Sequence, residues 1–160
     1  KNNKVAAELL TWFSILERKS IFEILELREV FEQRGVLNIV QLFQTDREKA
    51  EAIVQQLEDE VNNIQKAILV NDYEEIQKGD YNFHHIIIKQ TGNDLFNSIF
   101  SLLDKFTRKE MSKTHENYAD LQKIVEEHMV IVDAIKSEDI LTALQMHATH
   151  FPMIKKKFTF

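Results

Sequence analysis

Asp80, His84, His128 and His150 are the residues of this chain best suited to chemistry, because helical spacing turns each of them toward an apolar interior. Asp80 and His84 are four residues apart, so on a helix they share one face with Ile87 and Ile88. His128 lies on the stripe Leu121, Ile124, Val125, Ile131, Val132 and Ile135, the side that a helix there would bury. His150 comes one turn after His147, close to the face that carries Ala143 and Leu144. A buried carboxylate without a partner is costly, and so is a buried imidazole with unpaired nitrogens. One divalent cation shared by a carboxylate and three imidazoles would satisfy all four groups. A metal site inside a helical bundle is therefore the leading reading. Such a donor set suits Zn2+, Ni2+, Mn2+ or Fe2+ alike, and an octahedral ion would keep open positions for water or a small acid. His147 and His150 form a rival chelating pair. His85, turned about 100° from His84, is expected to face another element or solvent. His115 lies in a polar connection and is expected to be solvated.

The elements that must position these side chains are helices. Three glycines and one proline in 160 residues leave little material for turns, and strand-type alternation is absent. An all-α protein follows, of a length that suits one domain with a sizeable core. Helices are expected over Lys4–Glu17, over Ser20–Gln33 with a stop at Gly35, and over Val36–Phe43. Thr45-Asp46-Arg47-Glu48 reads as a capping box that opens a long helix, with Ile53, Leu57, Val61, Ile64 and Ile68 inward. Asn71-Asp72 breaks it, a short helix covers Tyr73–Gln77, and another runs over Asp80–Gln90 to Gly92. Asn93 then caps a helix whose core stripe is Leu95, Phe96, Ile99, Leu102, Leu103 and Phe106. A long helix over Glu116–Ile135 follows, and Ser137 starts the last one.

Composition excludes several roles. No run of 18 apolar residues is present to span a membrane, and no secretory pattern opens the sequence. The absence of cysteine removes disulfides and thiolate ligands and fits a reducing, cytoplasmic setting. A formal net charge of −6 argues against nucleic-acid binding by this segment, whose one basic cluster is Lys155-Lys156-Lys157. The sequence starts at Lys1 and not at methionine, as expected of a processed product or a piece of a longer protein.

Three blocks carry a family resemblance. Glu26-Leu27-Arg28-Glu29-Val30-Phe31-Glu32 is similar to an E-x-R-x-x-x-E opening. Asp80-Tyr81-Asn82-Phe83-His84 with Thr91-Gly92-Asn93 is similar to D-x-x-F-H followed by S/T-G-N. His128, Ala134-Ile135, Asp139, Ala143 and His150 keep the intervals of a third block. Together these blocks resemble the C-terminal ligand-sensing (FCD) domain of FadR-type regulators in the GntR transcription-factor family. The departures are His147, where methionine is common, and a glutamine-rich stretch where alanine is usual.

The resemblance implies an antiparallel bundle of six to seven helices around a central metal and ligand cavity. It implies a domain over residues 19–160, preceded by a helix in 1–18 that leads from a winged helix-turn-helix domain before Lys1. It makes Asp80, His84, His128 and His150 the metal ligands, favouring His150 over His147. Arg28 would bind the carboxylate of a small organic acid, a task suited to a planar two-pronged donor, with Asn93 assisting. The residues alone also allow Arg28 to pair with Glu32 and Asn93 to act only as a helix cap. The implied function is effector sensing and homodimerisation in a bacterial transcriptional regulator, non-enzymatic, with DNA bound only through the preceding domain. The rival class is a helical-bundle metalloenzyme. A di-iron carboxylate protein needs Glu-x-x-His pairs, and Val125 stands where His128 would require glutamate. A mononuclear hydrolase needs a general base, and no second carboxylate stands out for it.

Overall fold

The computed structural model describes residues 21–111 and 118–156, with side chains placed for 21–107 and 121–151. The described residues form six helices and no strand: α1 (Ile21–Thr45), α2 (Arg47–Leu69), α3 (Tyr73–Lys89), α4 (Asp94–Met111), α5 (Tyr118–Lys136) and α6 (Ile140–Lys156). The expected helix over Lys4–Glu17, the proposed 1–18 unit and His115 lie outside the described residues. None of the described helices is long and apolar enough to cross a membrane.

The chain is organised around α1, which packs against each of the other five helices. Its sequence explains this. Ile24, Leu25, Arg28, Phe31, Glu32, Gly35, Val36, Ile39, Val40 and Phe43 are buried, a face wider than the single stripe of a surface helix. By contrast α2 carries the narrower stripe read from its sequence, and Ile53, Leu57, Val61, Ile64 and Ile68 all point inward. Each such aliphatic side chain contributes about 1.5–3 kcal/mol relative to exposure.

Two expected helix breaks are absent, for one physical reason. The helices expected over Ser20–Gln33 and Val36–Phe43 are one helix running through Gly35. A Cβ at Gly35 would land on the carbonyl oxygen of Ile87, with the carbonyl carbon at 2.8 Å and Cγ2 at 2.9 Å. The missing side chain lets α1 lie directly on the backbone of α3. Likewise α3 runs through Gly79, where a Cβ would come within 2.6 Å of Ile64 Cγ1 on α2. Both glycines serve close helix approach, and that need outweighs their cost of about 1 kcal/mol in a helix interior.

The true breaks lie at turns with capping side chains. Asp46, and not Thr45, caps α2, accepting from the Lys49 N–H at 3.2 Å, while the Thr45 hydroxyl donates back to Gln41. Asn71 adopts a left-handed φ of 56°, and Asp72 caps α3 by accepting from Glu75 N–H at 3.1 Å. Gly92 has φ 65° before α4, and Glu138 has φ 58° before α6. Asp139 accepts from Thr142 N–H at 2.7 Å, so α6 starts later than Ser137, whose hydroxyl instead closes α5 on Ala134. On α4 part of the expected stripe holds, with Leu103 buried and Phe96 and Ile99 packed against Phe31, Ile88 and Phe100, while Leu95 is 63% exposed and Phe100, Asp104 and Thr107 are buried in addition.

Candidate metal centre

Three helices bring three imidazoles together. His84 from α3, His128 from α5 and His150 from α6 place their ring centroids 5.0–5.1 Å apart pairwise, a nearly equilateral triangle. Phe83 closes one side, its ring edge-on to His128 at 4.3 Å, and Phe151 packs against His150 at 5.6 Å. All three histidines are buried, and one ligand nitrogen from each lies within 4.8 Å of the others, a group that could hold a metal ion. Asp80, one turn before His84, is at the rim with its side chain 22% exposed. Its Oδ1 lies 3.2 Å from His128 Nε2 and 3.7 Å from His84 Nε2.

The outward bonds of each ring assign its tautomer. His84 Nδ1 donates to Glu32 Oε2 at 2.7 Å, His128 Nδ1 to the Ile124 carbonyl at 2.6 Å, and His150 Nδ1 to Glu127 Oε2 at 3.0 Å. A neutral imidazole that donates through Nδ1 keeps its lone pair on Nε2. Three Nε2 lone pairs are thereby left for the interior. Two of them, on His84 and His128, are 3.2 Å apart beside a carboxylate. The His150 Nε2 is buried with no hydrogen-bond partner among the described residues. Such a set repels itself unless a cation or shared proton lies among its members, and it is the donor set that a divalent metal requires.

Electrostatics favour the ligating forms. Burial, reinforced by the Arg28 guanidinium, lowers the His84 imidazole to about 3, so the ring is neutral at pH 7. Burial, then the neighbouring His128, pushes His150 well down too. For Asp80 burial works the other way and would raise the carboxyl. His128 and His84 beside it, with the Arg28 guanidinium beyond, outweigh burial and hold Asp80 ionised.

A second buried network backs the first. Arg28 is almost wholly buried and donates through Nε to Glu32 Oε1 at 2.7 Å, with its guanidinium carbon 5.3 Å from the centre of the Phe100 ring. Its Nη2 has no hydrogen-bond partner among the described residues. His147, the rival of His150, is fully buried and donates through Nε2 to Glu32 Oε2 at 3.0 Å. That bond ties the rival ligand His147 to a carboxylate rather than to the imidazole triangle. Asn93 is exposed and accepts from Leu95 N–H at 3.0 Å and Phe96 N–H at 3.3 Å, as an N-cap does. Asn93→Ala is expected to lower stability by about 1 kcal/mol, read from chemical denaturation, with metal content unchanged. His85, half-buried, stacks on Tyr81 and Phe100 at 5.2 and 6.0 Å, away from the triangle.

Glu32 and Glu127 are the functional candidates that the sequence did not single out as site residues. Glu32 carried one usable signal: it lies on the buried stripe of α1, four residues after Arg28. Its partners His84 and His147 are 52 and 115 residues away, beyond the reach of local spacing.

No curated protein and no solved structure matches this chain. A family model described as the FCD domain matches residues 23–152, which include Arg28, Glu32, Asp80 and all three histidines of the triangle. FCD domains are non-catalytic ligand-sensing modules, which sets aside the hydrolase alternative. The chain belongs to the FCD domain family.

Proposed function

We propose that this chain is the effector-binding and dimerising part of a GntR-type transcriptional regulator. In this reading a divalent metal held by Asp80, His84, His128 and His150 takes part in binding a small organic acid. The observation that carries the proposal is the convergence of three buried Nε2 lone pairs, each fixed by an acceptor behind its ring. The carboxylate of the effector would lie between the metal and Arg28, whose buried Nη2 has no hydrogen-bond partner among the described residues. Ile87, Val125 and Leu144 would form aliphatic walls. Acid binding would bias the bundle between two arrangements that set the spacing of DNA-binding heads in a homodimer. That coupling can be no larger than the acid's differential affinity for the two arrangements. The acidic balance of the segment itself supports a division of labour in which DNA is held elsewhere.

The test is mass spectrometry of the natively purified protein for metal, followed by a thermal-shift screen of organic acids. Wild type, Arg28→Ala, Arg28→Lys and metal-stripped protein are compared. Loss of a charge-assisted pair in a buried pocket costs about 2–5 kcal/mol, so Arg28→Ala is expected to weaken acid binding by well over tenfold. Arg28→Lys keeps a charge for Glu32 but loses the planar fork, and is expected to recover only part of the affinity. A neutral best ligand, or equal stabilisation of all four proteins, would contradict the reading.

A further inference from the structure

We infer that Glu32 is a positioning residue: it presents the lone pair of His84 to the metal and holds Arg28 edge-on, with its outer nitrogen free for an anion. The inference rests on the metal reading above, but concerns a carboxylate outside the ligand set.

Glu32 is fully buried in the middle of α1 and is engaged by three helices at once. Its Oε1 accepts from Arg28 Nε on its own helix, while Oε2 accepts from His84 Nδ1 on α3 and from His147 Nε2 on α6. Three N–H donors from three helices thus converge on one carboxylate. The outcome is geometric. Because the carboxylate can only accept, His84 must carry its proton on Nδ1, and Nε2 is directed at His128 and Asp80. Glu32 holds Arg28 at Nε, and Nη2 has no hydrogen-bond partner among the described residues. One acceptor thus sets both the ligand tautomer and the orientation of the anion donor. His147 shares Oε2 with His84, so losing His147 leaves the His84 bond in place, whereas losing the carboxylate removes it.

The experiment measures Zn2+ affinity by chelator competition, and the visible absorption of the Co2+ form, for wild type, Glu32→Gln and His147→Met. Glu32→Gln is expected to weaken Zn2+ about 10–100-fold, the usual cost of losing a partner behind a metal-bound imidazole, and to shift the Co2+ bands. His147→Met is expected to lose distinctly less. Nitrogen-15 NMR of the metal-free wild type gives a reading that needs no variant to fold, and His84 is expected as the Nδ1–H tautomer. Glu32→Gln within threefold of wild type, a His147→Met loss as large as that of Glu32→Gln, or His84 protonated on Nε2 would each overturn the inference. Failure of the wild type to bind Zn2+ would overturn the metal reading and this inference together, which separates the two failures.

Discussion

The His128→Ala protein is expected to purify without its metal, and His150→Ala likewise, while His85→Ala keeps full occupancy. Each of the first two removes one corner of the imidazole triangle. The loss should exceed the roughly 10–100-fold penalty of disturbing a group behind a ligand, because the ligand itself is gone. His147 does not step in for His150 without giving up its 3.0 Å bond to Glu32. His85 contributes a ring stack outside the triangle, so its removal leaves the donor set intact. Metal content by mass spectrometry, with circular dichroism to establish folding, decides the matter. Full occupancy in folded His128→Ala would falsify the ligand assignment.

Gly35→Ala is expected to be the most damaging single methyl addition to the fold. Overpacking ordinarily costs about 1–3 kcal/mol when side chains can move aside. Here the added carbon meets the backbone carbonyl group of Ile87 in the last turn of α3, which already accepts from Gln90 N–H at 3.0 Å. Against this stands the gain of about 1 kcal/mol from replacing glycine in a helix. A net loss of about 2–4 kcal/mol, or a fall in melting temperature on the order of 10 °C, is expected. Gly79→Ala should cost less, because the group it meets is the Ile64 side chain rather than backbone. Gly35 lies one turn from Glu32 and Ile87 one turn from His84, so separating α1 from α3 also strains the 2.7 Å bond between the two helices. A Gly35→Ala protein melting at or above wild type would show that the two backbones do not approach in this way.

These two substitutions also mark where the sequence was readable. Periodicity is a property of one helix, and it located the inward stripe of α2 and the buried positions of His84, His128 and His150. It could not see what a neighbouring helix brings. Gly35 read as a stop and Gly79 fell in the gap between two expected helices, while the reason to retain them is a carbonyl and an isoleucine on other helices. The stripe of α4 was read only in part, because Asp104 and Thr107 are polar and buried and so gave no apolar signal for the side they share. Glu32 was visible only as a partner for Arg28, since its two histidines come from elements far along the chain.

The central place of α1 also constrains the order in which the molecule can be made. The bond between Glu32 and His147 spans 115 residues. At about 5–20 residues per second, synthesis delivers His147 only some 6–23 s after Glu32. During that interval a helix with a broad apolar face carries a carboxylate and a guanidinium still lacking their distant partners. The earliest described helix is therefore among the last to reach its final surroundings, because part of its buried face is covered only by the C-terminal helix.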